Sequence, residues 1–150
     1  MNKKVAIITG GSKGIGAAIA RILSKNQYDL VISYLSDNKK ALDVVNECKG
    51  NGSNVKLVNA NIADVNDCQK IVDECINTFG KVDVLINNAA ITKFTKVKSL
   101  AELLPEDFQR IYTVNTIGAY VLTQKIASYM QSGVIINISS TSGISGIGSS

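Results

Sequence analysis

Val5-Ala6-Ile7-Ile8-Thr9-Gly10-Gly11-Ser12-Lys13-Gly14-Ile15-Gly16 is the stretch on which the reading of this chain turns. A short apolar run enters a glycine-rich turn, and Ala17, Ala18, Ile19, Ala20, Ile22 and Leu23 continue beyond it with a helical apolar side. Val5 to Ile8 are β-branched or small and suit a strand buried on both faces. Glycines between strand and helix allow positive φ and close backbone approach. The free N–H groups of the first helical turn, with the positive end of the helix dipole, then favour a dinucleotide pyrophosphate.

Spacing narrows the choice of ligand. Counted from Gly11, a P-loop would reach its second glycine at Gly16, but Ala17 and Ala18 stand where Lys and Ser/Thr must hold phosphate and magnesium. The common dinucleotide fingerprint fails as well, because Ile19 replaces its final glycine. What remains is Thr-Gly-x-x-x-Gly-x-Gly at Thr9, Gly10, Gly14 and Gly16. That pattern resembles the short-chain dehydrogenase/reductase family. The resemblance implies an α/β, Rossmann-like, doubly wound parallel sheet of strand order 3-2-1-4-5 with helices on both faces. It makes residues 1–150 one NAD(P)-binding domain, with Gly10, Ser12, Lys13, Gly14, Ile15 and Gly16 around the cofactor.

Composition fits such a domain and excludes several others. With 45% hydrophobic and 19% charged residues over 150 positions, the chain can bury a core. A net charge of +4 is modest, and its basic residues are scattered apart from Lys93, Lys96 and Lys98, so no nucleic acid is expected as partner. Cys48, Cys68 and Cys75 show neither CxxC nor metal spacing, and the chain has no histidine to complete a zinc site. No metal is expected. The run after Lys3 and Lys4 is too short for a signal peptide, and no stretch approaches the length of a spanning helix, so the expectation is a cytoplasmic protein with no membrane partner.

Leu30 to Tyr34 reads as a second buried strand, after a turn at Asn26 to Asp29. In a dinucleotide fold an acid at that strand's end accepts the ribose 2′-hydroxyl and favours NAD; Tyr34 stands there instead. Lys13 is a cationic partner for a 2′-phosphate, so NADPH/NADP is expected ahead of NAD. Asp37 lies close in sequence and would reverse that preference if it were the ribose contact. Asp37 or Asn38 can cap a helix through Ala41, Leu42, Val45 and Cys48 that ends near Gly50-Asn51-Gly52. Val55 to Ala60 supplies a third strand, followed by Asn61-Ile62 at its carboxyl end, which the resemblance assigns to contacts with the adenine.

Asp64 or Asn66 can cap the next helix, whose residues Cys68, Ile71, Val72, Cys75, Ile76 and Phe79 repeat at helical spacing until Gly80. Val82 to Ile86 is the fourth strand and delivers Asn87-Asn88-Ala89-Ala90. Short-chain dehydrogenases usually carry Asn-Asn-Ala-Gly here, bracing the sheet and lying along the cofactor ribose, which assigns Asn88 and Ala89 to cofactor binding. Ala90 departs from that pattern. Ile91 to Leu104 reads as a surface connection with a short helix around Ser99 to Leu103, and Pro105 opens a long helix. Its stripe is Phe108, Ile111, Tyr112, Asn115, Ala119, Leu122 and Ile126. Asn115, the polar exception, needs hydrogen bonds if buried. Val114-Asn115-Thr116-Ile117-Gly118 matches the family's Val-Asn-x-x-Gly, where the Asn shapes a helix irregularity and holds a water in the proton relay.

Gly133 to Ser140 is the fifth strand and ends in paired serines. The family's Ser-Ser-x-x-Gly, with Gly143 as its glycine, makes Ser140 the catalytic serine on the reacting carbonyl, with Ser139 as alternative. No His accompanies them and neither lies in a Gly-x-Ser-x-Gly elbow, which sets a hydrolase triad aside. The family's chemistry is hydride transfer assisted by Tyr-x-x-x-Lys, yet none of Tyr28, Tyr34, Tyr112, Tyr120 and Tyr129 has a Lys four positions on. The 150 residues therefore resemble the first three-fifths of a family member, and the Ser/Gly-rich loop from Ser142 to Ser150 is expected to lead on. Within the family the loop and Tyr34 are most similar to 3-oxoacyl-[acyl-carrier-protein] reductases of fatty-acid biosynthesis, which implies a 3-oxoacyl thioester on acyl carrier protein and a homo-tetramer. A sugar, steroid or small ketone substrate, and a non-catalytic dinucleotide-binding module, stay open.

Overall fold

The computed structural model describes residues 3–95 and 100–145. Four strand–helix crossovers connect a five-stranded parallel sheet, ordered β3-β2-β1-β4-β5 as the resemblance implied. In chain order the elements are β1 (Val5–Ile8), α1 (Gly14–Lys25), β2 (Asp29–Tyr34), α2 (Asn38–Gly50), β3 (Val55–Asn59), α3 (Val65–Phe79) and β4 (Val84–Asn87). A 3-10 turn (Leu100–Glu102), α4 (Pro105–Tyr112), a π-helical turn (Thr113–Gly118), α5 (Ala119–Ala127), β5 (Val134–Asn137) and the single turn α6 (Ser142–Ser145) follow.

The alternation of strand side chains explains the two layers. Ala6 and Ile8 of β1, with Leu30 and Ile32 of β2, pack on Ala17 and Ala20 of α1 and on Val44, Val45 and Cys48 of α2. Val5, Ile7 and Val31 face the opposite way, onto Cys68, Ile71, Val72 and Cys75 of α3 and Leu122 and Ile126 of α5. β1 is therefore buried throughout, as its composition predicts. Short-range chemistry fixes the helix ends: Asp37 accepts from the Lys40 N–H, Asp64 accepts from the Asn66 N–H, and Gly80 ends α3 in the left-handed region.

Three expectations are corrected. The long-helix stripe is buried only at Leu122 and Ile126; Phe108 is 63% and Tyr112 60% exposed, and no residue of α4 is buried. Asn115 is exposed rather than buried. The first four residues of the expected Ser142–Ser150 loop form α6, while the rest of that loop, with Lys96, Lys98 and Ser99, lies outside the described residues. β5 is an edge strand whose Val134, Ile135 and Ile136 remain 55%, 41% and 41% exposed. Among the described residues no helix is long and apolar enough to cross a membrane, and no cluster of metal-ligating side chains occurs.

Candidate dinucleotide site

Parallel order brings the carboxyl ends of all five strands to one edge, and the reversal of strand order between β1 and β4 opens a crevice there. Thr9, just past β1, ties the two strand ends together. Its hydroxyl oxygen accepts from the N–H groups of Asn88 and Ala89, both at 3.0 Å, while Asn88 Nδ2 donates to the carbonyls of Thr9 (2.9 Å) and Gly10 (3.2 Å). Thr9 is a site-building residue that the sequence reading used only as part of a motif. A side chain at Gly16 has no room, since its Cβ would fall 2.5 Å from Asn88 Nδ2 and 2.6 Å from the Gly10 carbonyl.

The glycine loop lines a cavity of about 390 Å³ with Gly10, Ser12, Lys13, Gly14 and Ile15 on one side. Tyr34, Asp37, Asn61 and Ile62 close its other side, and Asn88 and Ala89 its floor. All eleven residues expected around the cofactor thus meet in one place except Gly16, which lies behind the loop as packing. Two observations test the fit of a dinucleotide. Gly10 and Gly14 on the cavity wall have positive φ (64° and 53°), where L side chains are strained, and α1 begins without a side-chain cap or an acid in its first turn, leaving N–H donors for an anion. The residues present fit the group.

Electrostatics at the rim involve Lys13 and Asp37. The Lys40 ammonium, 2.8 Å from Asp37 Oδ2, and the Lys40 N–H hold the Asp37 carboxyl below its ordinary value, and the field of Lys13 adds to this. Asn61 is fixed by its own turn: its N–H donates to Asp67 Oδ2 (2.7 Å) and its Oδ1 accepts from the Ala63 N–H (3.1 Å). Ile62 is buried between this turn and the π-helical turn, where Gly118 comes against its carbonyl.

A second cavity, about 720 Å³, shares Ile15, Asn88, Ala89 and Ala90 with the first and extends to β5. Ser139, Ser140 and Asn115 line it, with Asn87, Asn137, Thr123 and Tyr120. Ser140 is exposed, with its Oγ 3.1 Å from Ser142 Oγ and 3.2 Å from the Ser142 N–H that donates to it. Asn115 bonds Ile91 at both ends of its amide: Oδ1 accepts from the Ile91 N–H and Nδ2 donates to the Ile91 carbonyl, each at 2.9 Å. The side chain thus clamps the chain after β4 to the π-helical turn. Asn87 and Asn137, register partners on β4 and β5, were not singled out from sequence as site residues. Asn87 Nδ2 donates to Asn137 Oδ1 (2.9 Å) and Thr123 Oγ1 (3.2 Å), fixing β5 and the serines after it against β4. Their signal in the sequence was an Asn at the end of each of two adjacent strands.

A family model described as short chain dehydrogenase matches residues 4–149. The chain is 32% identical over 149 residues to versicolorin reductase of Emericella nidulans, covering 98% of this chain and 55% of that protein. It is 34% identical over 146 residues to the 3-oxoacyl-[acyl-carrier-protein] reductase of Staphylococcus aureus, covering 95% and 58%. The crystal structure of a short chain dehydrogenase from Burkholderia cenocepacia in complex with NADP superimposes with a TM-score of 0.79 at 33% identity, over 86% of this chain and 51% of that one. The chain spans little more than half the length of these relatives.

Proposed function

The chain belongs to the short-chain dehydrogenase family, and we propose that it is the dinucleotide-binding part of an NADPH-dependent reductase acting on a 3-oxoacyl thioester carried by acyl carrier protein. The observation that carries this reading is the pair of adjoining cavities, with Lys13 and Tyr34 at one end, Ser139 and Ser140 at the other, and Asn88 and Ala89 between. One extended ligand fits that arrangement, its adenosine at β2 and its nicotinamide towards β5.

When bound, the nicotinamide supplies the hydride. The chain's own residues bind and orient. N–H groups of the glycine loop take the pyrophosphate, Lys13 supplies charge for a 2′-phosphate, and Tyr34 presents no acid to repel it. Asn61 and Ile62 flank the adenine. Ser140 donates its O–H to the carbonyl oxygen, and Asn115 keeps the segment after β4 in place while supporting the water of the relay. An alcohol is a poor proton source near neutrality, so turnover calls for an activated tyrosine; no tyrosine in these 150 residues carries a lysine four positions on. The similarity to the Staphylococcus reductase supports the thioester, that to the NADP complex supports the cofactor, and that to versicolorin reductase keeps a different carbonyl in contention. A cytoplasmic homo-tetramer is part of the same proposal.

The test follows NADPH absorbance with an acetoacetyl thioester in the whole protein carrying this chain, in its Ser140→Ala variant, and in the 150 residues alone. Turnover by the whole protein, its loss of a hundredfold or more in Ser140→Ala, and binding without turnover in the isolated chain are expected. Brisk turnover by the isolated chain, or an unimpaired Ser140→Ala enzyme, overturns the assignment. Binding without reduction of any ketone by the whole protein favours the non-catalytic module.

A further inference from the structure

Among the described residues, Asp37 is the one acid lining the cavity at the β2 end. It sits three residues beyond Tyr34, and a free carboxylate there would do what the missing strand-end acid does: accept a ribose 2′-hydroxyl and repel a 2′-phosphate. In the structure it is committed elsewhere. Oδ1 caps α2 by accepting the Lys40 N–H at 3.0 Å, and Oδ2 lies 2.8 Å from Lys40 Nζ. One residue therefore occupies both carboxylate oxygens, through its backbone and through its ammonium.

We propose that Lys40 is a specificity-determining residue that acts through Asp37. By neutralising that carboxylate and turning it into the first turn of α2, it lets the cavity beside Lys13 accept a 2′-phosphorylated adenosine. This rests on reading the cavity as the adenosine end of a dinucleotide site. The pair is solvent-exposed on both sides, so its influence is a screened, few-fold bias rather than an absolute gate. The backbone half of the contact survives substitution of the Lys40 side chain. A change at Lys40 therefore releases Oδ2 while leaving the α2 cap in place.

The experiment measures dissociation constants of NADPH and NADH for the protein and for Lys40→Met, Lys40→Arg, Asp37→Asn and the Lys40→Met/Asp37→Asn pair, with thermal unfolding of each. Lys40→Met is expected to weaken NADPH roughly three- to tenfold while leaving NADH unchanged or tighter. Lys40→Arg is expected to keep the native ratio, and Asp37→Asn to restore most of it in the Lys40→Met background. A purely structural role would lower the melting temperature and weaken both cofactors alike, which counts against the proposal. An unchanged NADPH-to-NADH ratio in Lys40→Met, with NADPH still binding the native protein and still depending on Lys13, overturns it alone. Failure of the native protein to bind either cofactor overturns the functional reading and this inference together.

Discussion

Gly118→Ala isolates the contact between the π-helical turn and Ile62. Gly118 ends the π-helical turn with ordinary helical φ and ψ of −60° and −45°, so backbone strain is not at issue. The added Cβ would lie 2.4 Å from the Ile62 carbonyl oxygen, 3.0 Å from its carbon and 3.2 Å from Ile62 Cγ1. Ordinary contact requires about 1 Å more. Ile62 cannot yield cheaply, because its carbonyl accepts from Cys68 Sγ, and Asn61 beside it is held by Asp67 and Ala63. The helix must move instead. Overpacking of this kind costs about 2–3 kcal/mol, and the better helix propensity of alanine returns about 1 kcal/mol, leaving about 1–2 kcal/mol. For a chain of this size that lowers the melting temperature by roughly 3–8 °C. Because Asn115 lies on the same turn and Ile62 lines the cavity at the β2 end, the proposed NADPH affinity should fall too. Circular dichroism melts and an NADPH titration read both. Gly50→Ala is the control, since α2 ends there with nothing within 4 Å of the new Cβ, and it should be neutral or stabilising. A Gly118→Ala protein that melts with or above the native one would refute the reasoning.

Lys13→Glu should weaken NADPH relative to NADH by roughly ten- to a hundredfold, the worth of a charge-assisted contact to the 2′-phosphate, and equal loss of both cofactors in a fluorescence titration would count against it. Asp83 braces the opposite end of the sheet: burial would raise its carboxyl, but the Val5 N–H at 2.8 Å and the Lys81 ammonium at 3.0 Å outweigh this and hold it below its ordinary 3.8. Its stabilisation is therefore present above that ordinary value and lost as pH falls through the lower folded value, so Asp83→Asn should cost about 1 kcal/mol in urea titrations near neutrality and progressively less in acid. Burial pushes the thiols of Cys48 and Cys68 up and that of Cys75 to about 12, so all three should resist iodoacetamide until the chain is unfolded; the same shifts mean that stability declines as pH rises past the ordinary thiol value of 9. The isolated 150 residues should self-associate through the exposed apolar edge at β5, seen by light scattering, and Ile135→Lys should reduce it.

What the sequence made legible was set by short-range chemistry. Four apolar residues before Thr9-Gly10 suited an interior strand, and Gly80 marked the end of α3, whose start lay open between Asp64 and Asn66 until the structure showed Asp64 as the cap. The glycine loop, Tyr34, Asn61 and Ile62 line one cavity because each stands at a strand's carboxyl end, and parallel order sends all such ends to one edge. Helical periodicity, by contrast, says which residues share a face and not whether anything lies opposite. Phe108 and Tyr112 continue the stripe of Leu122 and Ile126 without sharing their burial. Asn115 illustrates the same limit from the polar side. Its partner, Ile91, is 24 residues away, and the bond forms only because the π-helical turn presents the amide to the segment after β4. The register bond between Asn87 and Asn137 spans 50 residues and is dictated by strand pairing, not by any local pattern. Strand ends therefore reveal which residues gather around the cavity at the sheet's carboxyl edge, whereas the bonds that hold those residues in position arise from pairings visible only in the folded chain.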